Sequence, residues 1–408
     1  MPAREGRWRA LFWITVAELA AMSVWFSASA VAPALERAWQ LVPALAPWLT
    51  GAVQLGFVAG ALIGAATGLP DRVPSRRLFT AAALMAAFAN AGLLAAGPGT
   101  VAAALGLRLL TGAALAGVYP VAVQWVAAWF PRNRGLAVGI LIGGLTVGSA
   151  LPRLLTGLPL LAHWRPVVAG SSLLALLAAA VAWGLAPDPP QAVPPPPFRW
   201  DQLGAVLRDR PVMWANTGYW GHMWELYAMW TWLPAFLAAS WARLGSPHQV
   251  RVWAGLAGFA AIGGAGLAGA LAGGWAADRW GRTAATIAAL SLSGSMALLI
   301  GFTFRAAPLL TLGVALVWGF AVIADSAQFS AAVTELAPED RRGTALTFQM
   351  ATGFLLTVAS IDLVAWLRAR GGWAWAFPPL AAGPLLGLLA MARLRRHPDA
   401  LRMAGGRR

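Results

Sequence analysis

The 408-residue sequence contains no cysteine and no lysine, and charged residues make up only 11% of it. The lack of cysteine excludes disulfides, thiolate nucleophiles and thiolate-bound metals. The lack of lysine excludes an ATP site of the G-x-x-x-x-G-K-[ST] type. A soluble globular chain carries roughly 25% charged residues, so this chain has too few charges to cover a water-exposed fold.

Hydrophobic residues instead make up 59% of the chain. Uncharged runs of about twenty residues recur along it, and a helix of that length crosses a hydrocarbon core about 30 Å thick. The sequence therefore predicts an all-α membrane protein with about twelve transmembrane helices in two six-helix halves. The predicted spans are 10–32, 48–69, 78–97, 101–130, 135–158, 166–186, 211–239, 252–275, 283–304, 308–334, 343–367 and 373–393.

A proline-rich stretch, PDPPQAVPPPPFRW, separates the first six predicted helices from the last six. Its prolines favour an extended connector over a helix. We therefore expect an N-terminal six-helix bundle at 1–187, a linker at 188–210, and a C-terminal six-helix bundle with a basic tail at 211–408.

The basic residues are all arginine, and the net charge is +15. They are scattered between apolar runs, whereas a nucleic-acid site needs positive charge on one face, so no nucleic-acid partner is expected. Arginine-rich loops stay in the cytoplasm, and most of the 30 arginines lie on the side that would hold both termini and the linker. We expect an integral protein of the bacterial inner (plasma) membrane with both termini cytoplasmic.

The first apolar stretch has a basic start and the small residues Ala28-Ser29-Ala30, which are also typical of a signal peptide. Glu18 interrupts this stretch, and many further spans follow it. We therefore expect it to be retained as the first transmembrane helix.

Two bursts of charge, TGLPDRVPSRR at 67–77 and GGWAADRWGR at 273–282, occupy equivalent places between the second and third helices of each half. Such an internal repeat is typical of a transporter built from two similar halves, related by an axis along the membrane normal. Rocking of such halves about a central site would move a solute across the bilayer.

The second burst resembles the G-x-x-x-D-R-x-G-R signature of the major facilitator superfamily, through Gly274, Asp278, Arg279, Gly281 and Arg282. The first burst keeps only part of that signature, with Asp71 and Arg72 in place but Thr67 and Pro74 where the signature has glycine. A further resemblance is Arg108-x-x-x-Gly112 in the fourth helix, which is similar to the superfamily's conserved-arginine motif.

This resemblance implies a conformational latch, in which each loop aspartate meets a helix of the other half. We expect Asp278 to approach the start of helix 5 near Gly135, and Asp71 the start of helix 11 near Gly343. A carboxylate at a helix N-terminus is stabilised by the helix dipole. The alternative interpretation is that both bursts only anchor the topology.

Glycines recur at spacings near four in helices 2, 5 and 8, so each set lies largely on one helix face, where backbones can approach closely. In the superfamily these helices line the contact between the halves. The resemblance therefore implies that the glycine faces are smooth surfaces on which the halves rock. The alternative is that the glycines serve static helix packing. The pattern G-x-G-x-x-G at 264–269 lies inside an apolar run, so we interpret it as packing and not as a dinucleotide site. The stripes are Gly56, Gly60, Gly64 and Gly68; Gly135, Gly139, Gly143, Gly144 and Gly148; and Gly255 to Gly274 in helix 8.

Charged residues inside a membrane are costly and mark functional sites by default. Glu225 lies about halfway along helix 7 with His222 one turn earlier on the same face. We expect this pair to carry a coupling proton, because carboxyl groups in apolar surroundings and histidines both titrate near neutral pH. The predicted proton-coupling residues are Glu18, His222, Glu225 and Asp325; Asp362 and Arg153 are expected near the outer ends.

Aromatic residues surround this pair in NTGYWGHMWELYAMWTW. Amphipathic rings near the centre of a span suit a cavity for an organic solute, whereas an aromatic belt, the alternative, belongs at helix ends. Arg108 lies inside the membrane and needs a partner of opposite charge. Glu18 is the expected partner, and a carboxylate or phosphate of the substrate is the alternative. The predicted substrate-binding residues are Arg108, Asn216, Tyr219, Trp220, Trp224 and Tyr227.

These features favour a monomeric secondary active transporter that moves a small organic solute with protons by alternating access, including anion symport. The alternative is a proton antiporter that exports a drug or metabolite, although helix 5 lacks the Gly-Pro motif that many such antiporters in the superfamily carry. No catalytic constellation, cofactor site or metal site is expected, since the other histidines fall in loops or the tail.

Overall fold

The structure, a computed structural model, describes residues 2–130, 134–156, 163–189 and 198–407. Within these ranges the chain is almost entirely helical and contains no strand. Residues 190–197 of the predicted linker lie outside the described residues, so the domain boundaries stay a prediction.

Twelve long helical segments follow one another in the described ranges. The first six are α1 Pro2–Met22, α2 Trp48–Thr67, α3 Ser75–Ala91, α4 Pro98–Trp129, α5 Arg134–Thr156 and α6 Trp164–Gly184. The last six are α7 Arg210–Ser240, α8 Pro247–Trp280, α9 Arg282–Ile300, α10 Pro308–Leu336, α11 Arg342–Gly371 and α12 Ala382–Arg396.

Ten of these segments are long and apolar enough to cross a membrane. The other two are α1 and α7, which carry Glu18 and the pair His222 and Glu225.

Four predicted spans are interrupted, and the twelfth begins as the short helix Trp373–Ala376 before α12 starts at Ala382. The first ends at Met22 and resumes only as the short helix Ser27–Ala30. The fourth is divided into Val101–Leu115 and Tyr119–Trp129, because Pro120 favours a new helix start. The tenth is divided at Asp325 into Pro308–Ala324 and Ser326–Leu336.

The helices form a bundle with two distinct ends. The basic end holds the start of α1, the α8–α9 junction and the C-terminal tail, as shown by Arg407, which donates to the Asp278 carbonyl. The opposite end holds the segment between α1 and α2 and the starts of α6 and α8.

The glycine stripe of α2 packs inside the first half, which corrects the expected contact between halves. A Cβ at Gly56 would lie 1.9 Å from the Leu109 carbonyl oxygen of α4, and one at Gly112 would lie 2.0 Å from that of Val53. The stripe of α5 is divided, because Gly143 faces Leu267 of α8 whereas Gly148 faces the Leu19 carbonyl of α1. The α5 stripe and the α8 glycines that face it, such as Gly263, therefore contribute to the contact between halves, whereas the α2 stripe does not.

The G-x-G-x-x-G pattern lies inside α8. A Cβ at Gly269 would lie 2.0 Å from the Phe320 carbonyl oxygen of α10, and one at Gly266 would lie 2.5 Å from Thr146. These contacts agree with the interpretation of the pattern as helix packing.

We predict that Gly112→Ala lowers stability, because its methyl group would meet a backbone carbonyl that cannot move aside; overpacking of this kind costs about 1–3 kcal/mol. Gly106→Ala in the same helix is the matched control, since a Cβ there has nothing within 4 Å. Thermal unfolding of the two variants in detergent should show a lower midpoint for Gly112→Ala only. Equal midpoints would contradict the close α2–α4 contact.

Candidate functional site

A central cavity lies between the two halves, lined by residues of α4, α5, α7, α10 and α11. All three tyrosines of the chain, Tyr119, Tyr219 and Tyr227, line it. Its volume is about 20 Å³, which is room for about one water molecule. The halves are thus closed around it. The remaining lining residues are Ile142, Leu145, Met223, Leu226, Ile323, Ser326 and Phe354.

An aromatic plug closes the cavity towards the opposite end. The Trp25 ring lies 5.2 Å from Phe57, 5.6 Å from Tyr227 and 5.6 Å from Phe354. The Phe57 and Phe354 rings are 4.2 Å apart. Since Trp25 and Phe57 belong to the first half and the other two to the second, the plug joins the halves. Phe26 adds contacts to Tyr227 at 6.1 Å and to Trp230 at 5.9 Å, and both residues complete the plug.

The Asp278 carboxylate closes the basic end. Its two oxygens lie 3.1 and 3.3 Å from the position that a Cβ on Gly135 would occupy. Because Gly135 lies in the first turn of α5, the carboxylate sits where the helix dipole favours negative charge. Glycine at 135 leaves the space that this approach needs, and Gly274 packs 3.7 Å from the Gly135 carbonyl by the same measure.

The other latch residues do not join the halves in the same way. Arg282 binds Glu335 of α10 at 2.5 Å, within the second half, and Arg279 lies over the ring of its neighbour Trp275. Gly281 has φ 95°, a conformation that favours glycine at the turn from α8 to α9.

In the first burst, Arg72 approaches the Gly68 turn. The Asp71 side chain lies outside the described residues, so its contact with Gly343 stays a prediction.

A buried polar cluster lies between α7 and α10. Glu225 accepts a hydrogen bond from Trp318 Nε1 at 2.6 Å. His222 Nδ1 lies 2.8 Å from Asp325 Oδ1, which is within ion-pair distance. The two groups are not oriented for a hydrogen bond. All three titratable side chains are at most 1% exposed.

The joint proton role of His222 and Glu225 stays a prediction, but the two side chains do not share a partner. The two side chains are one turn apart on α7, but α10 presents a separate partner to each, Asp325 to His222 and Trp318 to Glu225. Trp318 escaped the sequence analysis because it lies in an apolar run that carries no charge.

The cluster continues towards the basic end. Gln328 accepts from Arg282 Nη1 at 2.8 Å, and Arg282 binds Glu335, which also accepts from the Ala404 backbone N–H at 3.1 Å. Polar groups thus extend from mid-membrane to the C-terminal tail. Glu335 was missed because the sequence places it at a helix end, where a charge is unremarkable.

Arg108 anchors the break in α1, which corrects its predicted pairing with Glu18. It donates to the carbonyls of Val24, Trp25 and Leu49, the first at 3.0 Å and the last at 2.9 Å. It also donates to Asn90 Oδ1 at 3.1 Å, and Asn90 in turn donates to Ser172 of α6. These acceptors use all three guanidinium nitrogens, so Arg108 is a structural residue in this arrangement.

Glu18 is fully buried, and neither carboxylate oxygen has a hydrogen-bond partner among the described residues. Its electrostatic neighbour is Tyr119, which lines the central cavity. Glu18 therefore lies beside the cavity in the first half.

The remaining predicted substrate residues divide into two groups. Tyr219 and Tyr227 line the cavity. Trp220 donates to Thr352 at 2.8 Å and Trp224 to the Pro379 carbonyl at 3.4 Å, so neither is brought to the cavity, because other helices of the second half supply acceptors for their indoles. Asn216 accepts from Gln349 at 3.1 Å.

The two residues expected near the outer ends differ from each other. Asp362 is partly exposed on α11, whereas Arg153 is 2% exposed and reaches α7. Arg153 does lie in the last turn of α5, near the outer end, but it is buried there because the halves close over it.

The profile of the Major Facilitator Superfamily matches residues 14–360. The chain belongs to this superfamily. Its members are generally non-enzymatic carriers of small molecules that function as single chains, and the chain is an integral membrane protein.

Solved structures share this fold. The D-xylose–proton symporter has a TM-score of 0.74 at 16% identity and covers 97% of this chain and 99% of its own. The human organic anion transporter MFSD10 (TETRAN) has a TM-score of 0.69 at 18% identity, and the match covers 94% of this chain and 99% of that one. The structure of the proton:xylose symporter XylE bound to 6-bromo-6-deoxy-D-glucose has a TM-score of 0.68 at 16% identity, and the match covers 94% of this chain and 95% of that one. Comparison with curated protein sequences gave no match. The predicted superfamily and the predicted twelve-helix fold are both confirmed.

We predict that Asp278→Asn shifts the chain towards the state that is open at the basic end. A carboxylate at a helix N-terminus contributes about 0.3–1 kcal/mol, so the open-to-closed ratio should rise about two- to fivefold. The measurement is the alkylation rate of a single cysteine introduced at Ser326, which lines the cavity of this cysteine-free chain.

Asp201→Asn is the matched control, since Asp201 pairs at 2.7 Å with Arg199, two residues away in the chain. An unchanged alkylation rate in Asp278→Asn would show that Asp278 is a topology anchor and not a latch.

Proposed function

We propose that this protein is a proton-coupled secondary active transporter that carries a small organic solute by alternating access, as a symporter that accepts anions. The observation that carries the proposal is the buried cluster of Glu225, His222 and Asp325 in the second half, next to the closed central cavity.

Glu225 is suited to hold the coupling proton. Its Oε1 accepts from Trp318, while its Oε2 has no hydrogen-bond partner within the described part of the chain. A buried carboxylate with an unsatisfied oxygen is costly as an anion and is stabilised when that oxygen carries a proton.

His222 and Asp325 supply a second protonatable pair one helical turn away. The polar groups from Gln328 to Glu335 connect the cluster with the basic end. Glu18 holds a similar buried carboxyl group on the other side of the cavity. These groups support proton movement between the cavity and the basic end.

The cavity lining supports an organic solute. Three tyrosines supply hydroxyl groups on rings, and the other lining residues are mostly apolar, as is usual in pockets for small organic molecules. Two solved structures with this fold are described as a D-xylose–proton symporter and an organic anion transporter. Because their sequence identity to this chain is low, these structures show only that the fold is compatible with transport of such solutes.

We further propose that the basic end faces the cytoplasm of a bacterial cell, with the protein in the inner membrane as a monomer. This orientation rests on the excess of arginine at that end. No cofactor or metal takes part in the proposed cycle.

The test is transport in proteoliposomes with a trapped pH dye, using panels of small anions, neutral solutes and organic cations, with empty liposomes as the control. Proton entry together with a solute supports symport. Proton exit as a solute enters would support the alternative, a proton antiporter that exports a drug or metabolite. Solute flux without proton movement in any panel would contradict the proposed coupling.

We predict that Glu225→Gln abolishes proton-driven accumulation but retains solute exchange. One unit of pH difference supplies about 1.4 kcal/mol per coupled proton and hence about tenfold accumulation. The variant should reach only equal concentrations, because glutamine keeps an acceptor for Trp318 yet cannot release a proton. Glu339→Gln, an exposed carboxyl at the basic end, is the matched control. Full accumulation by Glu225→Gln would remove the assigned role.

A further inference from the structure

Arg153 of α5 crosses the boundary between the halves. It is 2% exposed, and its Nη2 donates to the Trp230 carbonyl of α7. Its guanidinium carbon lies 4.9 Å above the Phe26 ring, and its Nη1 makes a long contact of 3.4 Å with the Ser149 carbonyl. A buried cation thus reaches from one half to the other beside Phe26 of the aromatic plug.

The Trp230 carbonyl is available because of a proline. Pro234 lies four residues later inside α7, and proline has no N–H to complete the i→i−4 hydrogen bond. A carbonyl without a donor is costly inside a bilayer. Arg153 supplies this donor from the other half.

The two buried arginines differ in how fully they are bonded. Arg108 uses all three guanidinium nitrogens on acceptors of its own half. Arg153 Nε has no hydrogen-bond partner in the described ranges, and no described carboxylate lies within ion-pair distance of its guanidinium. A buried arginine with only neutral acceptors has capacity left for an anion.

We propose that Arg153 is the residue that binds the anionic group of the solute, and that the Trp230 carbonyl occupies it when the halves are closed. The ligand is a small organic anion with a carboxylate or a similar oxyanion, since the guanidinium fork matches two such oxygens. This inference rests on the proposed transport function and replaces Arg108 as the predicted anion site.

Binding of an anion at Arg153 competes with the contact between α5 and α7. A carboxylate on the guanidinium replaces the carbonyl and releases the hydrogen bond that joins the halves beside Phe26. Solute binding therefore favours separation of the halves at this level. A ligand shifts such an equilibrium only by its difference in affinity for the two states, and this competition supplies that difference.

The opposite end holds a second cavity of matching charge. A cavity of about 400 Å³ there is lined by Arg37, His163 and Arg251, together with Ala34, Ala38 and Trp164. Clefts lined by one sign of charge raise the local concentration of oppositely charged solutes. Arg37 and Arg251 come from different halves, so this second cavity spans the boundary that Arg153 also crosses.

The test is the thermal unfolding midpoint of the purified full-length protein with acetate, lactate, benzoate, succinate, methanesulfonate and methyl phosphate, each against its neutral amide or ester. We expect at least one anion, and none of the neutral analogues, to raise the midpoint. Arg153→Gln should weaken the apparent affinity at least about tenfold, whereas Arg153→Lys should retain part of it because it keeps the charge but loses the fork.

Pro234→Ala provides an independent check. It restores the backbone N–H for the Trp230 carbonyl and so relieves the competition; we expect anion binding to tighten severalfold. Arg243→Gln, at the same end, is the matched control, since Arg243 binds the Arg305 carbonyl within the second half. Should Arg153→Gln fail to fold, Arg153→Lys and Pro234→Ala decide the outcome.

The proposal is overturned if no anion in the panel shows a response that depends on Arg153, or if Pro234→Ala leaves affinity unchanged. Failure of the proposed anion site can be distinguished from failure of the proposed transport function. Proton-coupled flux of a neutral solute that is insensitive to Arg153→Gln would keep the transporter and remove the anion site. Anion binding that depends on Arg153 without any proton-coupled flux would keep the anion site and remove the proposed transport function.

Discussion

A backbone carbonyl inside a bilayer needs a hydrogen-bond donor, and two arginines satisfy this need where the helices of this protein lose their own. At the break after Met22, Arg108 donates to the carbonyls of Val24 and Trp25. In α7, Arg153 donates to the Trp230 carbonyl that Pro234 leaves free. The first interaction is confined to one half, and the second joins the two halves.

The position of the break in α1 explains how the cavity is closed. Because Arg108 holds the chain in a non-helical turn, Trp25 and Phe26 project towards Tyr227 and Phe354 of the other half. The same turn brings Phe26 beneath Arg153. A structural arginine thus positions the aromatic side chains against which the bridging arginine packs.

The closures on the two sides of the cavity differ in chemistry. The basic end is held by the Asp278 carboxylate at the start of α5 and by an α5 glycine face packed on α8. The other side is held by ring packing and by one hydrogen bond to a main-chain carbonyl. The buried cluster around Glu225 lies within the second half, between α7 and α10, and in the proposed function its protonation would be coupled to these closures.

Much of this arrangement follows from local patterns in the sequence. Apolar length predicted the helices, and the resemblance of the second burst to the superfamily signature implied the approach of Asp278 to Gly135 that the structure shows. The partners of Arg108 could not be predicted, because backbone carbonyls exposed by a helix break leave no side-chain pattern. Pro234 does mark a free carbonyl in the sequence, yet its donor depends on how the halves pack. Similarly, the separate partners of His222 and Glu225 depend on the rotation of α10 against α7.

In the proposed transport cycle, the two halves move about the cavity so that one end opens as the other closes. The most direct test measures spin-label distances at both ends of the cysteine-free chain, at acidic and alkaline pH. The exposed positions Leu136 and Trp280 report the basic end, and Val42 and Leu244 the opposite end. The account predicts that the two distances change in opposite directions. Distances that change together, or that stay constant while solute is transported, would contradict it.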